Sequence, residues 1–227
     1  MAQTRLLALA ALCLAAALPA AAQSSLAGTG ELETVVKKVM QQQKKTSTLQ
    51  AEFRQEKEMA LLAKPEVSTG SFVYSKPNQV LWNYDSPKRV TVLISGGTLT
   101  TYYPELNKAE QVEVKRYQDR IFKYMGASNG IDELSRFFDF TFTNNAANPA
   151  YVLDLSPKSK LVAKRMRHIR IWIDKASYMT SKFEYVEGDG DTTRYEFSNI
   201  KINQPVSAGR FALNLPPTVR LEQMKVN

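Results

Sequence analysis

The spacing of hydrophobic residues changes several times along this chain, and each change marks an element. Between residues 31 and 45, Leu32, Val35, Val36, Val39 and Met40 recur at i, i+3, i+4, i+7 and i+8, the spacing that gathers side chains on one helical face. Glu31 and Glu33 stand in the first turn and Lys44 and Lys45 in the last, where each charge complements the helix dipole. An amphipathic helix is predicted there. From Thr48 the period becomes two: Leu49, Ala51 and Phe53 alternate with Gln50, Glu52 and Arg54. Gly70 opens a run over 71–75, and Lys76-Pro77-Asn78 breaks it. Val80, Trp82 and Tyr84 alternate next, ending at Asp85-Ser86-Pro87, and further runs follow over 90–94, 99–103 and 109–115. Short alternating runs parted by Gly, Pro, Asn and Ser are the mark of antiparallel strands joined by tight turns.

Residues 117–138 interrupt this pattern. Ile121, Phe122 and Met125 form one apolar helical patch, and Ile131, Leu134, Phe137 and Phe138 form another behind Gly130, with Asp132 and Glu133 in its first turn. Two short helices are predicted. Strands resume over 140–143, 151–155, 167–174 and 177–187, and a Gly188-Asp189-Gly190 turn leads into 192–199. The tail from Phe211 to Pro217 ends the domain. The fold class expected is mostly β with helices (α+β), an open, incomplete antiparallel β-barrel of about ten or eleven strands. A long sheet must cover its apolar face by closing on itself or by packing helices into its concavity. The N-terminal helix and the helical insert fit the second arrangement.

The first residues bear on the compartment. Arg5 precedes an apolar run from Leu6 to Ala20, and Ala20-Ala21-Ala22 supplies small residues before Gln23, the layout of a secretory signal peptide. The run is shorter than the roughly 20 residues that span a bilayer. Cys13 follows Leu12, which is too large for the position before an acylated cysteine, so it is removed with residues 1–22. The mature chain 23–227 then has no cysteine and must be held by its core. Its length suits a single domain. Loss of Arg5 lowers the formal charge from +8 to +7, an excess that favours anionic partners or simply solubility. Lys158, Lys160, Lys164, Arg165, Arg167 and Arg170 form a stretch without an acid, readable as a solvated face or as a docking surface for an acidic partner or anionic lipid. Export argues against nucleic acid.

Catalytic chemistry finds few residues to work with. His168 is the only histidine, and it falls on the opposite side of its strand from Ile169, Ile171 and Ile173. No serine sits in a G-x-S-x-G turn and no mature cysteine exists, so a nucleophile–base pair has no support. Zinc lacks nitrogen and sulfur ligands. Asp132 and Glu133 are adjacent in sequence and do not face one another on a helix. Ser95-Gly96-Gly97 reads as a hairpin turn and not as a phosphate cradle. No catalytic residue, metal or cofactor is expected.

Several segments in order resemble a known family. Gly70-Ser-Phe-Val-Tyr-Ser-Lys76-Pro77-Asn78-Gln-Val-Leu-Trp82 with Ser86-Pro87 is similar to the LolA-type pattern of a glycine-led strand, a basic-Pro-Asn corner and a Trp-bearing strand. Ser95 to Pro104 and the strand 109–115 resemble the next hairpin, Phe53-Arg-Gln55 the first strand, and Phe211 to Val219 the closing Pro-Pro element. The resemblance implies a monomeric periplasmic lipoprotein carrier with an apolar cavity. Phe53, Phe72, Tyr74, Val80, Trp82, Tyr84, Val92 and Ile94 are the candidate cavity residues. Ile121, Phe122, Met125, Leu134, Phe137 and Phe138 are the candidate lid residues. Its partners are then acylated lipoproteins or another lipid, an inner-membrane ABC transporter complex and an outer-membrane acceptor. Lys76 stands where the family usually has arginine before Pro-Asn, and the resemblance implies a role in handover to the partner. Lysine offers a point charge in place of a planar fork, which leaves open a carrier of a different lipid, such as a glycolipid. A lipid- or lipopolysaccharide-sensing regulatory protein on the same fold is the alternative.

Overall fold

The computed structural model describes residues 30–60, 62–115 and 137–224. Helix α1 (Gly30–Lys45) leads into β1 (Thr48–Glu58), β2 (Glu66–Ser75), β3 (Gln79–Ser86), β4 (Val90–Ser95), β5 (Thr98–Tyr103) and β6 (Lys108–Glu113). After residues 116–136 come β7 (Phe138–Thr143), β8 (Ala150–Pro157), the single-turn helix α2 (Lys160–Ala163), β9 (Met166–Asp174), β10 (Thr180–Glu187), β11 (Thr192–Ile202) and β12 (Arg220–Met224). All twelve strands join one sheet in the order β12-β6-β5-β4-β3-β2-β1-β11-β10-β9-β8-β7. β12 and β7 are its edges and are not paired with each other, so the sheet is open.

The open, mostly β architecture with an N-terminal helix is as expected, and four details differ. Among the described residues there are twelve strands against the ten or eleven expected, because β12 lies beyond the tail taken as the end of the domain. β12 runs parallel to β6, Leu221 opposite Ala109, so the sheet is not wholly antiparallel. Its residues Arg220 to Met224 carry no apolar alternation, because an edge strand over solvent has no face to bury. Gly70 does not open β2 but sits at its middle, opposite Phe53. Phe138 does not belong to a lid helix: it opens β7 and is 5% exposed, while Phe137 lies in the turn before it. The other four lid candidates, Ile121, Phe122, Met125 and Leu134, lie outside the described residues.

Period-two alternation sends successive side chains to opposite faces, and here the two faces differ in kind. One face carries the main core. Phe53, Phe72, Val80, Ile94, Leu153, Leu155, Ile169, Tyr185 and Tyr195 are buried there against Leu32 of α1. The other face is polar over β1, β10 and β11, where Arg194 reaches Glu184 at 2.7 Å and Glu56 at 3.6 Å and Lys182 meets Glu196 at 3.0 Å. Over β2–β4 it turns apolar again: Val73, Leu81 and Leu93 stand side by side across the ladder and are covered by Phe211, Val206 and Leu213 of the tail. Those strands are therefore apolar on both faces, which explains the nearly unbroken Val-Thr-Val-Leu-Ile run of β4.

α1 lies along one end of the sheet. Its first turn is tied to the β7–β8 turn by Asn144 Nδ2 donating to Glu31 at 2.5 Å, and its middle to the β9–β10 turn by Lys38 donating to the Tyr178 hydroxyl at 2.8 Å. Its last carbonyls receive Asn203 Nδ2 on Lys45 at 2.9 Å and Lys76 Nζ on Lys44 at 2.8 Å. The opposite end of the sheet holds the β1–β2, β10–β11 and β8–β9 connections. These touch one another through Ala60 N on Asp191 Oδ1 at 3.3 Å and Gly188 N on Arg165 O at 3.0 Å.

Candidate functional site

The site is built on the face that α1 packs against. Register brings the eight cavity candidates together: Phe72 pairs with Trp82 and Tyr74 with Val80 between β2 and β3, and Trp82 with Val92, Val80 with Ile94 and Tyr84 with Val90 between β3 and β4. Phe53 stands opposite Gly70, where the missing side chain matters. A Cβ on Gly70 would lie 2.8 Å from the Phe53 ring and 1.9 Å from the Asn83 carbonyl oxygen, so only glycine lets that ring lie over β2. Phe53 then meets Trp82 edge-on at 4.9 Å and Tyr84 at 5.0 Å between ring centroids, and Trp82 lies 4.6 Å from Phe72 and 5.5 Å from Tyr195. Such tilted pairs are the favourable aromatic geometries.

Five of the eight (Phe53, Phe72, Val80, Val92 and Ile94) are buried. Tyr74, Trp82 and Tyr84 are only partly covered, as are Phe140, Phe142, Ile171, Phe183 and Phe197 around them. The floor is thus packed as a core, and the upper layer of rings is only partly covered. The Tyr84 and Tyr195 hydroxyls share a 3.3 Å hydrogen bond in its middle. Burial raises the Tyr84 phenol above its ordinary value, and that bond only partly offsets it, so this ring stays neutral at physiological pH. Tyr195 and Phe197 of β11 complete the aromatic floor beyond the eight candidates. Their alternation was visible in the sequence, but only the β1–β11 pairing, Phe53 opposite Phe197, places them beside Phe53.

Lys76 is exposed and follows the last residue of β2, its peptide bond to Pro77 cis. Its ammonium donates to the carbonyls of Gln43 at 3.2 Å and Lys44 at 2.8 Å, among the last acceptors of α1. The cation thus closes the C-terminus of the helix that walls the site. His168 is on the opposite face of the sheet, its Nε2 3.0 Å from Asp154 Oδ1, which also holds Arg170. In the basic stretch Lys158 pairs with Asp139 at 3.5 Å, while Lys160, Lys164, Arg165 and Arg167 are exposed. Among the described residues no group of three or more His, Cys, Asp or Glu could hold a metal, and no helix is long and apolar enough to cross a membrane. The outer surface carries a hollow of about 680 Å³, but Glu52, Arg54, Asp85 and Glu196 line it and suit it to water and not to an apolar guest.

Residues 44–214 match the family model described as "Outer membrane lipoprotein carrier protein LolA". The chain belongs to the LolA family. Its LolA relatives include the outer-membrane lipoprotein carrier protein of Pseudomonas putida (strain GB-1), 23% identical over 186 residues that cover 81% of this chain and 86% of the relative. The carrier protein of Pseudomonas aeruginosa (strain UCBPP-PA14) is 24% identical over 181 residues, covering 79% and 83%. Among solved structures, an uncharacterized conserved protein from Thermus thermophilus superposes with a TM-score of 0.57 at 9% identity, over 86% of this chain and 99% of that one, a likeness of fold alone. LolA proteins are carriers and not enzymes, and the lipid-binding half-barrel sheet belongs to the family.

Sequence reasoning missed one part of this face. Gln55 and Lys57 continue the inward positions of β1 after Leu49, Ala51 and Phe53, and both are buried, at 6% and 8% exposure. Thr193 of β11 stands opposite Lys57 and is wholly buried. Lys57 Nζ lies 3.7 Å from Glu187 Oε1. Burial holds the Glu187 carboxyl above its ordinary range, Lys57 counteracts this in part, and Asp189 and Asp191 push the same way as burial. The signal was a polar residue at a position whose period called for an apolar one.

Proposed function

We propose that this chain is a periplasmic carrier that shelters the acyl chains of lipoproteins, loading from an inner-membrane ABC transporter complex and unloading to an outer-membrane acceptor. The observation that carries this reading is the half-covered aromatic layer of Tyr74, Trp82, Tyr84, Phe183 and Phe197 over a buried floor. Each methylene exposed to water costs about 0.8 kcal/mol, so a lipid with two or three chains leaves a membrane only when another apolar surface receives it. A solid core would bind nothing, and a fully exposed apolar face would aggregate. A floor with a partly open upper layer does neither. It also holds a guest moderately, as a carrier must to release it.

Residues 1–22 serve as the signal peptide that delivers the mature single domain 23–227 to the periplasm as a monomer. Ile121, Phe122, Met125 and Leu134 supply apolar cover from the segment between β6 and β7, and Lys76 acts at handover through the end of α1. The relatives' name, outer-membrane lipoprotein carrier protein, favours lipoprotein as cargo. The test is release. Purified mature chain added to Gram-negative spheroplasts depleted of their own carrier should bring newly made outer-membrane lipoproteins into the soluble fraction. Lipoproteins that stay membrane-bound at every concentration of the chain would refute the reading.

A further inference from the structure

We propose that the end of the lipid-binding face remote from α1 is a subsite for the ester and amide carbonyls of an acylated guest, with Gln55, Lys57 and Thr193 as donors. The inference rests on the carrier reading and adds to it which way the guest lies and which polar chemistry is recognised. Polarity changes in step along three neighbouring strands. β1 runs from Leu49, Ala51 and Phe53 to Gln55 and Lys57. β11, antiparallel to it, presents Phe197 and Tyr195 and then Thr193, with Lys57 opposite Thr193. β10 presents Phe183 and Tyr185 and then Glu187, with Tyr185 opposite Thr193. The apolar half adjoins α1 and the polar half lies at the other end.

Burial makes this polar group unusual. The Thr193 hydroxyl is wholly buried and has no hydrogen-bond partner among the described residues, a state that native proteins rarely leave unexplained. The Gln55 side chain on the neighbouring strand is also more than nine-tenths buried. The Lys57 ammonium lies 3.7 Å from Glu187, its ion-pair partner, and an ammonium carries three donors. A buried hydroxyl without a partner, beside a buried amide and an ammonium at the end of an apolar surface, suits carbonyl oxygens at the end of acyl chains.

The surrounding charge decides between carbonyl and phosphate. Glu66 of β2 stands opposite Lys57, Glu187 is its ion-pair partner, and Asp189 and Asp191 act on Glu187 from the adjoining turn. These four acids outnumber Lys57 and Arg167, whose guanidinium lies beside Gly190 of that turn, and the excess repels an anionic headgroup. Neutral acceptors meet no such penalty. On this proposal the guest reaches Thr193 by displacing the side chain of Lys57, the residue opposite it.

The experiment uses the mature full-length chain and two probes that displace a fluorescent apolar dye. Dioleoylglycerol carries two ester carbonyls, and hexadecane carries no polar atom. Both should bind the wild type. In the double variant Gln55→Leu, Thr193→Val, binding of dioleoylglycerol should weaken about tenfold, the scale of a lost hydrogen bond, while hexadecane binding stays within about twofold. Thr193→Val keeps the side-chain shape, so it should fold like the wild type, and alone it should weaken dioleoylglycerol several-fold should Gln55→Leu impair folding. Equal binding of dioleoylglycerol by wild type and variants would overturn the subsite, as would tighter binding of dioleoylphosphatidic acid than of dioleoylglycerol. Failure of both probes to enter the wild type would overturn the carrier reading itself.

Discussion

Position 70 illustrates how much can turn on one atom. A Cβ there meets the Asn83 carbonyl oxygen at 1.9 Å and the Phe53 ring at 2.8 Å, and neither the backbone nor a ring packed against Trp82 and Tyr84 can yield cheaply. Gly70→Ala should therefore destabilise the protein by about 1–3 kcal/mol, as overpacking does, measured by chemical denaturation. It should also disorder the aromatic floor, seen as a loss of near-ultraviolet circular dichroism. The sequence showed a glycine beside a strand; that it faces Phe53 follows from the β1–β2 register alone. Lys76→Leu removes the charged donor from the Gln43 and Lys44 carbonyls and should cost about 0.3–1 kcal/mol, the scale of a cation at a helix C-terminus. Transfer to the acceptor should fall far more than stability if the residue acts at handover; wild-type transfer rates would return it to a purely capping role. Glu187 titrates in the opposite sense to most paired carboxylates. Because its folded value is raised, its contribution is fully present below the ordinary glutamate range and is lost as pH rises through the folded value. A carbon-13 titration should find it above the other glutamates, and Lys57→Met should raise it further. A value at or below the ordinary range would contradict the buried position argued for it.

At the level of elements, legibility followed burial. α1 announced itself through Leu32, Val35 and Val36, the residues it packs against the sheet, and the strands lining the apolar face announced themselves by alternation. β12 did not, because its Leu221 and Met224 are exposed and its partner is 112 residues away, as the Gln223–Gln111 hydrogen bond shows. What secures it is charge: Lys108 of β6 bridges Glu110 at 2.7 Å and Glu222 at 2.8 Å, and this pairing holds the Glu222 carboxyl below its ordinary value. Lys108→Met should free the edge, so that the amides of residues 220–224 exchange several-fold faster in hydrogen exchange while those of β1 and β11 do not change. Uniform acceleration across the sheet would mean that β12 supports the whole fold and not only its edge. Phe138 is the converse case. Its spacing with Leu134 and Phe137 reads as helical, yet it pairs opposite Pro157 in β7 because tertiary packing decides short apolar runs that period alone cannot.

For the whole molecule, alternation, turn residues and ordered segments of resemblance were enough to indicate an open half-barrel of the LolA family. The two-sided character of the sheet was not legible, because which strands carry the tail on their outer face depends on a crossing from Val206 to Leu213 with no periodicity of its own. Nor was the polar end of the lipid-binding face, since Gln55 and Lys57 look like ordinary surface residues until β11 and β10 stand beside them. The central claim is that the half-covered face receives acyl chains, and it is open to direct weighing. Native mass spectrometry of the mature protein, purified from the periplasm without detergent, should show a non-covalent adduct whose dissociated ion fragments into fatty acyl chains, with Trp82→Ala reducing its abundance. A spectrum of bare protein alone, from a wild type that also takes up neither dioleoylglycerol nor hexadecane, would contradict the account.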